Sequence, residues 1–325
     1  MTHQNKKLPS LFFIGHIAID TIIRFHKEHR PTLGGSVSFC SLSLKTYTKD
    51  VIISVISSIG KLNFDNNLLD IIKDKDIDLR GLKWTDTYNT NFILNYYDHS
   101  RSLTLKSKSP NLEIKDIPEV YLNNPPDIIV LAPLCNEISF DYISNLVNHF
   151  PNSYVAIDLQ GFIRNIDNGN VSIIRDDNIV LNLKRIINLV DEKLFLKGSE
   201  HEMKVLSGKD DIYEVMNHFN NFESKGTYIM TLGEKGSLIS KKGERILKIP
   251  AFQSRIVTDE TGAGDVYYAI FLYEFIRSDK SWASIENAAY LGSSAASFNV
   301  EKTGPYGFET KERVLDRTNY KNYLR

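Results

Sequence analysis

Short apolar runs rich in Val, Ile and Leu alternate along the chain with longer stretches of helical periodicity. LFFIG (11–15), VIISVISSI (51–59), DIIVLAPL (127–134), YVAIDL (154–159), LFLKG (194–198) and TYIMTLG (227–233) are nearly continuous in apolar residues. That is the pattern of strands whose two sheet faces are both covered by helices. Helices are predicted over 35–46, 65–74, 139–150, 199–206, 211–222, 263–277 and 282–299. The alternation predicts an α/β fold, doubly wound around a mostly parallel sheet. Segments 20–33 and 88–109 break it: both carry strand-like alternation with polar faces and no helix between. The second, built on NFILNYY (91–97), reads as a hairpin with its turn near Asp98–Arg101. Edge strands of the main sheet are one arrangement for these segments, and a small β lid over its C-terminal edge is the other and the one expected. No repeat, low-complexity tract or linker divides the chain, so 1–325 reads as a single domain.

Composition narrows the classes without naming a chemistry. The 325 residues are 42% apolar, enough for a substantial core, and the formal net charge of −1 provides no field toward nucleic acid or anionic membrane. The two cysteines, Cys40 and Cys135, form no CxxC or metal-spaced cluster, as expected of a reducing cytosol. The histidines are scattered without an HExxH, so His16 and His99 read as ordinary polar or core residues. Pro9 and Gly15 break the first apolar run and no cleavage site follows, which argues against a signal peptide. No stretch approaches the roughly 18 apolar residues of a membrane span. A soluble, cytoplasmic protein is the expectation.

The chemistry concentrates in RIVTDETGAGDVYYAIFLYEF (255–275). A helix N-terminus leaves backbone N–H groups unpaired and carries partial positive charge, and Gly262 and Gly264 remove the side chains that would keep a phosphate away. Asp265 sits in the first helical turn, where a carboxylate beside a phosphate is costly unless it accepts a proton from an attacking hydroxyl. Tyr267 stands where a dinucleotide fingerprint needs its third glycine, and no GxxxxGK[ST] occurs. Taken alone, the turn serves equally as a helix cap.

TDETGAGDVYYA resembles the C-terminal signature, D-x-x-G-A-G-D, of the ribokinase-like or PfkB family of carbohydrate kinases. Further matches run in the family's order: GHIAID (15–20), LGGSVSFCSLSL (33–44), KGSEHEMKVLSG (197–208) and MTLGEKGSLI (230–239). The resemblance implies a ribokinase-like three-layer α/β/α fold with a β lid, and an ATP- and Mg²⁺-dependent transfer of the γ-phosphate to a sugar or polyol hydroxyl. It implies Asp265 as general base, with the main chain around Gly262, Ala263 and Gly264 as anion hole. Asp20, Gly34 and Gly35 would bind the acceptor. Glu202 would hold Mg²⁺ through water, with Ser199, Thr231, Gly233 and Ser293 around the nucleotide. A monovalent cation beside Asp259 and a homodimer through the lids are further implications.

Departures from the pattern bear on the acceptor. Phe39 occupies the position of a sugar-contacting Asn in ribokinase, and Ser199 that of the Asn in N-x-x-E. Only Thr21 to Leu33 separate Asp20 from the glycine pair, which shortens the lid and weakens the expectation of lid pairing. LGGSVSF, DLQGFIR (158–164) and LKGSEHE look closer to the myo-inositol kinase branch, which makes Gln160 and Arg164 candidate acceptor contacts; a surface salt bridge is the other reading of Arg164. A nucleoside kinase, with Phe39 or Tyr96 and Tyr97 stacking on a base, and a catalytically silent ligand-binding member are the alternatives.

Overall fold

The computed structural model describes residues 7–24, 27–28, 31–97 and 100–324. Asp98 and His99, where the hairpin turn is expected, lie outside them. The main sheet has nine strands. In spatial order they are Leu247–Ile249 (β16), Ser237–Lys241 (β15), Thr227–Thr231 (β14), Leu194–Ser199 (β13), Tyr154–Asp158 (β10), Ile128–Leu131 (β9), Ser10–Ile14 (β1), Ile52–Gly60 (β5) and Asp78–Thr85 (β6). Pairing is parallel from β6 through β14 and antiparallel at β15 and β16. The helices are Ser36–Tyr47 (α1), Asp70–Lys73 (α2), Glu119–Leu122 (α3), Phe140–His149 (α4), Asp177–Val190 (α5), Glu200–Ser207 (α6), Ile212–Asn220 (α7), Ala263–Arg277 (α8), Trp282–Asn299 (α9) and Lys311–Tyr320 (α10).

Strand β1 shows why its sequence is apolar at every position. Leu11 and Phe13 enter one core with residues of α1, α8, α9 and α10, while Phe12 and Ile14 enter a second with residues of α3 to α7. Side chains alternate across a strand, so a sheet covered on both faces needs apolar residues at odd and even positions alike. The result is the three-layer ribokinase-like fold. Among the described residues no helix is long and apolar enough to cross a membrane.

A second sheet stands over the C-terminal ends of the first. Its order is Arg164–Asp167 (β11), Asn170–Ile173 (β12), Ser100–Ser107 (β8), Asn91–Tyr97 (β7), Ala18–Arg24 (β2) and Lys27–Glu28 (β3), with Thr32–Gly34 (β4) also paired to β2. The hairpin β11–β12 extends the sheet beyond segments 20–33 and 88–109. Asp20 lies inside β2, paired with Thr32.

The crossings between the sheets meet at a buried polar joint. Glu137 accepts N–H bonds from His16 (3.1 Å), Leu134 (2.8 and 3.0 Å) and Cys135 (2.8 Å). The His16 Nε2 bonds the Pro110 carbonyl at 3.0 Å, which can only accept, so in the neutral ring Nδ1 accepts the Thr90 hydroxyl at 2.8 Å. Thr90 and Ser109 exchange two further bonds, of 3.1 and 2.9 Å, and Asn89 Nδ2 donates to the Ile17 carbonyl at 3.1 Å. His16, Cys135 and Glu137 are close enough together to suggest a metal centre. The carboxylate is instead saturated by backbone amides and the ring by its two partners, so the cluster serves as a structural pin.

Candidate active site

The glycine turn is anchored from behind. The Thr258 and Asp259 amides donate to the Val300 carbonyl at 2.7 and 3.2 Å, and Asp259 accepts the amides of Thr261 (3.1 Å) and Gly304 (3.4 Å). Gly262 is the N-cap of α8, with φ of +78°, and a Cβ there would collide with the Phe39 ring. Both the backbone conformation and the neighbour therefore demand glycine. Ala263 turns its amide back onto the Glu260 carbonyl at 3.2 Å. The Gly264 and Asp265 amides remain as first-turn donors without an intrahelical acceptor.

Phe39 belongs to the underside of this turn. Its ring is buried, packed edge-on against Phe308 at 6.0 Å and filling the space below Gly262. In this position it supports the turn from the core side, and none of its described contacts is with Asp20, Gln160 or Arg164.

Asp265 is gathered with residues from four other elements. Ser36, the first residue of α1, lies on its carboxylate side and favours the ionised form. Gln160 Nε2 donates to Ser36 Oγ at 2.5 Å, and Arg164 Nη2 donates to Gln160 Oε1 at 3.0 Å. Arg164 is further fixed by its Nη1 bond to the Leu134 carbonyl, 2.7 Å, with its guanidinium 5.8 Å from the Phe92 ring centre. Below Asp265, Lys197 Nζ lies 2.7 Å from Asp158 Oδ2, both side chains at most 7% exposed. Asp158 and Lys197 are register partners on adjacent parallel strands, so both project to the same face at the strands' C-terminal ends. The Asp265 carboxyl is pushed up to about 6 on balance: burial raises it most, Lys197 pulls against burial, Asp158 raises it, and Ser36 and Arg164 favour the ionised form.

On the acceptor side, the Asp20 carboxylate lies directly over Gly34, where any Cβ would clash with it. Gly35, with φ of +91°, passes against the His16 carbonyl and caps α1. Gly34, Gly35 and Ser36 thus tie Asp20 to the Asp265 group through consecutive residues. Ala18, Phe92, Leu94, Leu134 and Cys135 form an apolar wall alongside, from the second sheet and the segment after β9. The side chains of Tyr96 and Tyr97 lie outside what the structure describes.

The donor-side residues divide. Ser199 caps α6 in a reciprocal box: its Oγ accepts the Glu202 amide at 3.3 Å, and its own amide donates to Glu202 Oε2 at 2.7 Å. Ser199 and Thr231 are register partners on β13 and β14, which brings Thr231 beside the cap of α6. Gly233, with φ of +61°, has open space where a side chain would project. Ser293 donates to the Pro250 carbonyl at 2.7 Å, and among the described residues no contact joins it to the Asp265 group.

Three members of this group, Ser36, Asp158 and Lys197, were not singled out by sequence reasoning. Each lies in a motif stretch, LGGSVSF, DLQGFIR or LKGSEHE. The available signal was polar or charged residues exactly where buried strands end or a helix begins, as in VAID, LFLK and GGS.

The family profile described as pfkB family carbohydrate kinase matches residues 51–311. A nucleoside kinase of Methanocaldococcus jannaschii is 29% identical over 133 residues, 41% of each chain, so the matched stretch spans less than half of that relative. A fructokinase from Vibrio cholerae, solved with fructose, ADP and calcium, superposes with a TM-score of 0.76 at 16% identity, covering 98% of this chain and 100% of its own. A pyrophosphate-dependent kinase in the ribokinase family superposes with a TM-score of 0.76 at 20% identity, covering 94% and 99%.

Proposed function

The chain belongs to the pfkB family of carbohydrate kinases, and from that premise we propose that it transfers the γ-phosphoryl group of ATP to a hydroxyl of a sugar or cyclic polyol, with myo-inositol a leading candidate. The observation that carries the reading is the position of Asp265. It stands in the first turn of α8, whose leading amides have no intrahelical acceptor, and Ser36 and Arg164 of the Arg164–Gln160–Ser36 chain favour its ionised form.

In the proposed step Asp265 takes the acceptor's hydroxyl proton while that oxygen bonds to the γ-phosphorus. The bond from the γ-phosphorus to the β,γ-bridging oxygen breaks, and ADP leaves with its electron pair. The Gly264 and Asp265 amides would receive charge on the transferring group. Asp20 would accept hydrogen bonds from other acceptor hydroxyls, and Arg164 and Gln160 would present donors and acceptors to the rest of the ring. Residues 1–325 are read as one catalytic unit whose second sheet acts as a lid, its apolar wall excluding water.

Glu202 suits a magnesium ion held through water. One carboxylate oxygen already accepts the Ser199 amide, and the other retains lone pairs for a metal-bound water. When bound, the ion would neutralise charge on the phosphates. A monovalent cation is proposed beside the Asp259 segment; Asn299 Oδ1 is buried there without a hydrogen-bond partner among the described residues, as an oxygen awaiting a cation would be.

The nucleoside kinase is the second reading, favoured by the similarity to the Methanocaldococcus jannaschii enzyme. Phosphoryl transfer measured on inositols, simple sugars and nucleosides side by side, each with ATP and with pyrophosphate, separates these. The expected result is transfer from ATP to a cyclic polyol or sugar. A clear preference for a nucleoside overturns the carbohydrate reading, and transfer from pyrophosphate alone overturns the donor.

A further inference from the structure

The buried Asp158–Lys197 pair lies where the site already contains a third charge. Removing an ammonium and a carboxylate from water is expensive, and such a pair is weak support for stability compared with apolar packing. It nonetheless occupies the face that points at Asp265, not a remote part of the core. The ammonium approaches the turn so closely that a Cβ on Gly264 would sit 3.3 Å from Nζ. The Tyr268 ring, with its centre 5.5 Å from Nζ, closes the other side. Burial disfavours the Lys197 charge, but Asp158 and then Asp265 outweigh it and raise its pKa.

We propose that Lys197, locked by Asp158, is a positioning residue for phosphoryl transfer: its ammonium keeps the Asp265 carboxylate ionised and seated at the mouth of α8. The inference rests on Asp265 being the base. Without Lys197, Asp158 and Asp265 would be two carboxylates in one water-poor site, where one must hold a proton. A protonated Asp265 cannot accept another from the acceptor. The groups facing Asp265 are Asp158 from β10, Lys197 from β13, Arg164 from β11, Ser36 and the Cys40 thiol from α1, with Glu202 of α6 acting through Lys197. Lys197 is the cation that pulls hardest on it. Cys40 touches only its main chain, donating to the Asp265 carbonyl at 3.4 Å.

The test uses the full chain with Lys197→Met, Lys197→Gln and Lys197→Arg. The Asp265 carboxyl is titrated by carbon-13 NMR, its signal assigned with Asp265→Asn, and the pH dependence of kcat is measured alongside thermal unfolding. Both neutral variants should move the carboxyl's titration midpoint, and the acid limb of kcat with it, upward by at least about one pH unit, an about tenfold loss of turnover below the wild-type midpoint. Lys197→Arg should restore most of the shift. Gln retains a hydrogen bond to Asp158, so it decides the question where Met does not fold. A midpoint that stays in place while only the melting temperature falls overturns the proposal and makes Lys197 a structural ion pair. If no acceptor is phosphorylated, the kinase reading fails separately, and the NMR midpoint still decides for or against Lys197.

Discussion

Two carboxylate clusters are buried against the C-terminal ends of the same sheet, and they are built in opposite ways. At the joint between the sheets, Glu137 accepts bonds from three backbone amides, and its neighbour His16 bonds the Pro110 carbonyl and the Thr90 hydroxyl. Burial works against the charge of Glu137. The His16 ring and the Cys135 and Leu134 amides outweigh it and hold the carboxyl below its usual range. Under α8, Asp265 instead faces Lys197 and a second carboxylate, Asp158, and its pKa rises. A carboxylate saturated by main-chain donors is a fixed pin. One buried beside a like charge, with cations that only partly offset its burial, keeps the capacity to take a proton, which is what a general base needs.

The largest effect should come from Asp265→Asn. Losing a general base costs about 10²–10⁴-fold in turnover, while nucleotide affinity measured by calorimetry should stay near wild type. The melting temperature should hold or rise, because the change removes a carboxylate whose burial, more than its neighbours offset, opposes its charge. Near-normal turnover would place the base elsewhere and erase the contrast between the clusters.

Glu137→Gln should strike the other cluster alone. Its amide nitrogen would face main-chain donors, leaving buried N–H groups unpaired, so unfolding in urea should show a loss of roughly 3 kcal/mol. Well below the melting temperature, kcat should remain within about threefold of wild type, in line with the weak coupling expected of sites without shared partners. A loss of turnover as large as that of Asp265→Asn would mean that the joint belongs to the chemistry.

Local features of the fold were legible and register-dependent ones were not. Helices expected over 263–277 and 282–299 occur as Ala263–Arg277 and Trp282–Asn299, because caps and breakers mark their ends in the sequence. The β11–β12 hairpin carried a readable signal, Asn168–Gly169, both at positive φ, but its strands are short and half-exposed. Helix α5 was likewise readable: Asp176 caps it and Leu183, Ile186, Ile187 and Val190 are buried at helical spacing. The Asp158–Lys197 pair was of another kind. Each residue ends an apolar run, but only the register of β10 against β13 puts them together, and that register comes from the sheet as a whole. Phe39 shows the same limit. Its position in the motif pointed to the acceptor, while its ring contacts put it under Gly262.

The smallest effect separates the two clusters by pH. Burial holds His16 below its ordinary value near 6.5, so below that pH the unfolded chain takes up a proton that the native chain does not. The His16 contribution to stability should therefore fall as pH drops through 6.5, with a slope approaching about 1.4 kcal/mol per pH unit, and level off at the folded value. Asp265, pushed up to about 6, becomes protonated over the same window, and turnover should fall with it because a protonated carboxyl cannot act as base. Asp265 contributes to stability with the opposite sign, because its native carboxyl takes up a proton at a pH where the unfolded one does not, so below about pH 6 the two contributions offset each other while turnover falls. His16→Gln keeps a neutral hydrogen-bonding side chain at the joint and should remove the His16 loss between pH 6.5 and 5, so that the variant gains stability relative to wild type as pH falls, while leaving the acid limb of kcat in place. A His16→Gln variant whose stability keeps the wild-type slope would show that the joint does not titrate, and one whose acid limb also moves would show that the two clusters are a single electrostatic unit.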